Sequence, residues 1–77
     1  MGKDKMRHLI NIVYQYGNLI FVSDLNIKVQ GRVLSHIFYR EEYDILQFFA
    51  GNLVNDIAVF PTEEELDEIF VKITDNY

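Results

Sequence analysis

The acidic residues of this sequence cluster toward its C-terminal end. Five carboxylates fall within seven residues in the stretch TEEELDEIF, which runs from Thr62 to Phe70. Carboxylates at this density can bind cations, or can exchange protons when two of them have different pKa values. Glu63 and Asp67 are four residues apart, but an exposed helix lacks the desolvation that would separate their pKa values for acid–base work. The stretch therefore predicts a charged binding surface and no catalytic pair.

Nucleophilic and metal-binding side chains are few. Ser35 and His36 are neighbours, but adjacent residues of a strand point to opposite faces, so no nucleophile–base pair is expected. His8 and His36 have no flanking residues at metal-ligand spacing. The sequence has no Cys, and its four Gly are isolated, so thiolate chemistry and a phosphate-binding loop are not expected. The protein is predicted not to be an enzyme and to bind no metal, cofactor or small-molecule substrate.

Charge is divided unevenly along the chain. Residues 1–40 contain six Lys or Arg and two Asp, which gives a net charge of +4. Residues 41–77 contain ten Asp or Glu and only Lys72 to oppose them, which gives −9. A split of this kind indicates either a charged partner or electrostatic self-association.

The length of 77 residues predicts one small domain, residues 1–77, with a small core. Hydrophobic residues make up 49% of the chain, including six Phe and five Tyr, which is more apolar surface than such a core readily hides. We therefore expect an exposed apolar patch and, as its default use, a symmetric homodimer. No stretch has the apolar core of a signal peptide or the roughly 20 apolar residues of a membrane span, so a cytoplasmic location is expected.

The first half of the chain predicts mainly strands. Residues 10–16 alternate and are rich in β-branched and aromatic types, which favours a strand, with Gly17-Asn18 as a hairpin signal. The alternative is a helix that ends at Gly17, because apolar residues also recur at positions 6, 9, 10 and 13. A second strand is predicted over 25–33, with a basic solvent face and a bulge at Gly31 that lets it bend into 34–39. A polar turn at 40–42, a strand at 43–50, a turn at 51–52 and a short strand at 57–60 follow.

The last element is predicted to be an α-helix over about 62–74. Thr62 and Glu65 have the spacing of a capping box, in which each side chain accepts the other residue's backbone N–H. Apolar residues then recur at helical spacing on one side, at Leu66, Ile69, Phe70 and Ile73. The predicted fold class is α+β: a small antiparallel β-meander of three to five strands packed against this helix, with an N-terminal segment that is a strand or a helix.

Two interpretations account for the charge of this helix. Acids in a first turn complement the helix dipole, and Glu68 can pair with Lys72, so part of the charge is ordinary solvated helix surface. Alternatively, a face of carboxylates beside aromatic residues can take the place of nucleic-acid phosphates in a groove lined by Lys and Arg. Small, acidic, aromatic-rich and Cys-free, the chain resembles in type, without any shared motif, the inhibitors by which bacteriophages block host DNA-handling proteins.

This resemblance implies an inhibitor that binds a basic DNA-binding or DNA-processing protein through a DNA-mimicking surface. The candidate acidic contacts lie in the helix and in the polar turn: Glu63, Glu64, Asp67, Glu68, Glu41, Glu42 and Asp44. Interface hot spots are rich in aromatic residues and Arg, which adds a second group of candidate contacts. They are Tyr39, Arg40, Tyr43, Phe48 and Phe49.

Two other functions use the same charge split. One is direct nucleic-acid binding through the basic half, with a strand face that carries Lys28 and Arg32 and a short N-terminal arm that carries Lys3, Lys5 and Arg7. A net charge of −5 argues against this alternative. The other is a structural homo-oligomer subunit, in which the basic half of one copy docks on the acidic half of the next.

Overall fold

The computed structural model of the protein describes residues 2–51 and 54–77. Its helices are α1 (Lys3–Gln15) and α2 (Glu63–Asn76). Between them the described residues form β1 (Leu19–Phe21), β2 (Lys28–Val29), β3 (Arg32–Arg40), β4 (Ile45–Ala50) and β5 (Ile57–Val59). One turn of 3-10 helix, Ser23–Leu25, lies between β1 and β2. The architecture is the predicted α+β arrangement of an antiparallel sheet and a C-terminal helix.

The sheet is built around β3, its longest strand. The strand order is β1-β3-β4-β5 with every pair antiparallel, and β2 forms a short hairpin with the start of β3. Residues opposite one another in this register form rows across the sheet. One row, on the inner face, is Ile20, Ile37, Phe48 and Val59, and the next, on the outer face, is Phe21, His36, Phe49 and Ala58.

The core lies on the inner face of the sheet. Ile20, Ile37, Phe48 and Val59 are buried there in one cluster with side chains of both helices. The cluster takes Leu9, Ile12 and Val13 from α1 and Ile69 and Ile73 from α2. Both helices therefore cover the inner face, and the described residues place no helix on the outer face.

The strand that the sequence favoured for residues 10–16 is wrong, and the helical alternative is right. Tertiary burial decides this, because the differences in helix propensity are below about 0.7 kcal/mol per residue and packing of an apolar face outweighs them. The Gly17-Asn18 pair ends the helix instead of forming a hairpin. The N–H of Gly17 donates to the Tyr14 carbonyl and that of Asn18 to the Val13 carbonyl, with Gly17 at φ +78°. This is the Schellman arrangement, which requires a left-handed residue after the helix.

The single strand predicted over 25–33 is also wrong. Gln30 and Gly31 both have positive φ, +54° and +77°, and form a two-residue hairpin turn between β2 and β3. Gly31 is therefore a turn residue, and the bulge lies at Ser35, where the register shifts between Leu34 and His36. The predicted basic solvent face is present, since Lys28 and Arg32 are exposed.

The strands and the helix predicted for the second half of the chain are present, while the predicted turn at 51–52 lies partly outside the described residues. β4 and β5 lie within the predicted strands, and α2 begins at its predicted cap. Thr62 Oγ1 accepts the Glu65 N–H at 3.2 Å, and Glu65 Oε1 accepts the Thr62 N–H at 2.8 Å. The predicted apolar stripe of α2 faces the sheet, with Ile69 and Ile73 fully buried.

Candidate functional site

The acidic turn between β3 and β4 is neutralised in part by the first helix. Arg7 donates two hydrogen bonds to Asp44, at 3.0 and 2.8 Å, and the Tyr39 hydroxyl donates a third at 2.6 Å. Hydrogen bonds from Arg7 and then from Tyr39 lower the pKa of Asp44 to about 2. The same contacts with Asp44 raise the pKa of Arg7 and the pKa of Tyr39. Asp44 therefore belongs to an internal ion pair that joins α1 to the turn.

The other two acids of this turn also have contacts within the chain. Glu41 Oε1 accepts a hydrogen bond from Asn18 Nδ2 at 3.0 Å. Glu42 lies 3.9 Å from Arg40 Nε, at the limit of an ion pair, and both side chains are largely solvated. The turn thus presents less net negative charge to a partner than its sequence suggests.

Two of the acids of α2 are likewise engaged. Glu65 accepts the backbone N–H groups of Thr62 and Gln30, which lower the pKa of its carboxyl. Glu68 pairs with Lys72 at 3.5 Å, as the sequence predicted. Glu64 and Asp67 are exposed, and no hydrogen-bond or ion-pair partner for either side chain is found within residues 2–51 and 54–77.

These exposed carboxylates form one charged surface, which we call the acidic stripe. It consists of the solvent-facing acids of α2: Glu63, Glu64, Asp67, Glu68 and Asp75. All of them point away from the sheet, because the opposite side of the helix is buried. Of the seven acids predicted as contacts, the structure brings together four here, and the other three lie in the β3–β4 turn.

The predicted aromatic contacts do not share one surface. Phe48 is only 7% exposed and belongs to the core, so it is not accessible to a partner. Tyr39 is on the inner face and packs against the core. Tyr43 projects from the β3–β4 turn and is 68% exposed. Arg40 and Phe49 lie on the outer face of the sheet.

The outer face contains residues that sequence reasoning missed. Its side chains come from all four strands of the main sheet: Leu19, Phe21, His36, Phe38, Arg40, Ile45, Gln47, Phe49 and Ala58. The His36 ring stacks on Phe49 at 4.6 Å, and Phe21 lies 5.9 Å from His36. Phe21 is 57% exposed. Alternation along β3 was the available signal, but it does not show which of two faces the helices cover.

The expectation that Ser35 and His36 point apart is wrong. The bulge at Ser35 interrupts the alternation, and Ser35 Oγ lies 3.2 Å from His36 Nδ1. Asp56 Oδ2 completes a cluster, at 3.2 Å from Ser35 Oγ and 3.1 Å from His36 Nδ1. With the Ser35 hydroxyl and the Nδ1–H of His36 both donating, Asp56 Oδ2 accepts two hydrogen bonds.

This cluster does not have the geometry of a nucleophile–base relay. In such a relay the serine and the carboxylate bind opposite nitrogens of the imidazole, so that one nitrogen accepts the serine proton while the other donates. Here both contacts are made to Nδ1. Ser35 is also only 6% exposed. The arrangement instead satisfies polar groups at the point where the bulge opens the sheet.

The basic residues of the first half do not form one surface either. The predicted N-terminal arm is the first part of α1, where Arg7 is bound to Asp44 and Lys5 lies 5.5 Å from the centre of the Phe70 ring. Lys28 and Arg32 belong to a different element, the β2–β3 hairpin. Much of this charge therefore acts within the protein.

An apolar cleft of about 290 Å³ opens beside β4. Its walls include Met6 from α1, Leu46 from β4, Phe60 and Pro61 from the segment after β5, and Leu66 from α2. Among the described residues, no charged side chain and no His lines it. The cleft offers apolar contact but no group for acid–base chemistry or metal binding.

The described part of the chain contains no cluster of three or more His, Asp or Glu that could hold a metal ion. Within the same part, no helix is long and apolar enough to cross a membrane. No protein-family model, curated protein or solved structure matches this chain, so its function has to be argued from the surfaces described above.

Proposed function

We propose that the protein is a small acidic protein–protein interaction module that binds a basic DNA-handling protein through the acidic stripe of α2. The observation that carries this proposal is the difference between the two acidic regions. The acids of the β3–β4 turn contact Arg7, Asn18 and Arg40, whereas Glu64 and Asp67 are exposed without a partner in the described residues. Unpaired charge of one sign on a small surface favours association with a cationic molecule.

The charge density of the stripe sets the size of the cationic site that it fits. α2 has 14 residues, which corresponds to a length of about 21 Å. The five carboxylates of the acidic stripe are distributed along this length, one per roughly 4 Å, against one phosphate charge per about 1.7 Å for duplex DNA. The stripe is therefore suited to replace a few phosphates in a Lys- or Arg-lined groove, not a long stretch of duplex.

A protein bound in such a groove excludes DNA from it. Inhibition of a DNA-binding or DNA-processing protein, as bacteriophage inhibitors achieve it, is thus part of the proposal. Because the attraction is between exposed charges, binding should weaken as the salt concentration is raised above about 0.1 M, where the Debye length is about 10 Å.

The test is capture from a bacterial lysate on the immobilised protein, followed by elution with duplex DNA. A retained DNA-binding protein that DNA displaces is the expected result. The variant Glu64→Lys/Asp67→Lys should lose capture, with affinity for the purified partner reduced about tenfold or more.

Glu41→Lys/Glu42→Lys is the matched control, because it changes the net charge by the same amount on the β3–β4 turn. It should retain the partner. Equal loss in both variants would show that only net charge matters, and full retention by the Glu64→Lys/Asp67→Lys variant would refute a role for the stripe.

A further inference from the structure

The outer face of the sheet is an apolar surface that neither helix covers. Both helices pack on the inner face, and Phe21 and Ile45 remain 57% and 46% exposed. Antiparallel sheets with one solvated face normally alternate apolar and polar side chains, with the polar ones outward. Here the outward positions of β3 and β4 include Phe38 and Phe49. An exposed apolar face of this kind marks an interaction surface.

The aromatic side chains of this face are held in place before any partner binds. His36 is sandwiched between Phe49 and Phe21, and its ring is nearly parallel to that of Phe49, at 10°. Arg40 lies over the Phe38 ring, with its guanidinium carbon 5.8 Å from the ring centre. Aromatic residues and Arg are the types enriched at the centres of protein interfaces, and rigid ones lose little entropy on binding.

Opposite charges lie toward opposite ends of this face. Arg40 is the last residue of β3, and its Nε lies 3.9 Å from Glu42 Oε1 but has no hydrogen-bond partner within the described residues. At the other end, Asp56 is bound to His36, which lies four residues before Arg40 in β3. Asp56 Oδ1 likewise has no hydrogen-bond partner within the described residues. The face therefore combines an apolar centre with the Arg40 guanidinium at one end and the Asp56 carboxylate at the other.

We propose that the outer face is the interface of a symmetric homodimer, in which a second copy of the chain is the occupant. A two-fold axis that lies between the two sheets, perpendicular to β3 and level with Phe38, places each Arg40 over the His36 end of the other copy, where Asp56 lies. Both ion pairs then form together, as a two-fold interface requires. The two sheets pack face to face about 10 Å apart, with α2 and its acidic stripe on the outside of each copy.

Charge favours a second copy over nucleic acid as the occupant. Exposed aromatic rings on a sheet can also stack with the bases of a single strand, but such sites lie in a positively charged groove. Among the described residues of the outer face, Arg40 at one end is the one formal cation, Asp56 at the other end is an anion, and the chain has a net charge of −5. The face therefore offers phosphates no net attraction.

The dimensions of the face predict a weak dimer. Four strands about 4.8 Å apart and six residues at about 3.3 Å each give an area of roughly 300 Å². Stable interfaces bury about 800 Å² on each partner. The dimer should thus depend on concentration, with a dissociation constant of about micromolar or weaker.

Sedimentation velocity of the full chain over loading concentrations from about 5 to 500 µM tests this proposal. The fraction of dimer should rise with concentration, and Phe38→Glu should weaken association about tenfold or more. Val71→Glu is the matched control, since Val71 is 53% exposed on α2 and the change adds the same charge on the opposite side of the molecule. It should leave association unchanged.

Site-specific cross-linking provides a second readout, because the chain has no Cys. Phe38→Cys should be joined to a second copy by a bis-maleimide with a reach of about 10 Å, and Val71→Cys should not. Unchanged circular dichroism establishes that each variant is folded. If Phe38→Glu is unfolded, Phe21→Ser takes its place as the outer-face variant.

Three results would overturn the proposal: a monomer at every concentration, association that the outer-face variants do not weaken, or cross-linking through Val71→Cys as efficient as through Phe38→Cys. A fourth is binding of a labelled single-stranded oligonucleotide that Phe38→Glu abolishes, which would make nucleic acid the occupant. Dimerisation and capture by the acidic stripe use opposite sides of the molecule, so either proposal can fail without the other.

Discussion

Replacing Ile37 and Phe38 separately by Ala compares the two faces of the sheet at one point of β3. Ile37 is fully buried on the inner face between Ile20 and Phe48, whereas Phe38 is partly exposed on the outer face. Ile37→Ala leaves a cavity in the core and should lower the free energy of unfolding by about 2–5 kcal/mol. A chain of 77 residues has a total stability of roughly 4–12 kcal/mol, so this change removes a large part of it.

Phe38→Ala should cost less, because solvent reaches the vacated space and no closed cavity remains. The ring loses its cross-strand contacts with Leu19 and Gln47, each about 0.2–1 kcal/mol. It also loses the contact with Arg40, about 0.5–1 kcal/mol at a solvated site. The expected sum is about 1–3 kcal/mol when the protein is monomeric.

Urea unfolding followed by circular dichroism at about 5 µM protein measures both changes, as shifts of the midpoint at constant slope. Thermal unfolding should agree, since 1 kcal/mol corresponds to about 4–8 °C in a domain of this size. Equal losses for Phe38→Ala and Ile37→Ala at this concentration would refute the reasoning, because they would mean that the outer face is buried within one chain.

The cap of α2 and the ion pair of the β3–β4 turn give two more predictions. Thr62→Ala removes the acceptor of the Glu65 N–H and should lower the free energy of unfolding by about 1 kcal/mol. Thr62→Ser keeps a hydroxyl at this position and should retain most of that stability; thermal unfolding measures both variants. In the folded protein the pKa of Asp44 is about 2, below its ordinary value of 3.8. The ionised Asp44 therefore contributes fully to folding stability above pH 3.8, and this contribution is lost as the pH falls toward 2. Stability measured from pH 5 to 2 should therefore fall less steeply in Asp44→Asn, and parallel curves would contradict the role of the Arg7 contact.

The parts of the fold that the sequence predicts are those specified by local signals. The start of α2 follows from Thr62 and Glu65, three residues apart, and its buried face follows from helical spacing over residues 66–73. In the segment that includes α1, the apolar residues at positions 10, 12, 14 and 16 fit a period of two, whereas those at 6, 9, 10 and 13 fit a period of 3.6. The packing of Leu9 and Val13 on a sheet formed later in the chain decides between them.

The candidate site is less predictable, because its charges are set by contacts between distant residues. Arg7 and Asp44 are 37 positions apart, and nothing near either residue shows that they pair. The bulge that brings Ser35 to His36 likewise depends on how β3 matches β4. Exposure of the α2 acids could be predicted, since it follows from the apolar stripe on the other side of the same helix.

The two oxygens of Glu65 serve two different parts of the fold. Oε1 accepts the Thr62 N–H at the start of α2, and Oε2 accepts the Gln30 N–H in the β2–β3 hairpin turn, at 3.0 Å. Fraying of the helix start therefore deprives the Gln30 N–H of its acceptor, and opening of the turn deprives Glu65 Oε2 of its donor. Local opening of either segment thus removes a hydrogen bond from the other, although the two are more than thirty residues apart in the chain.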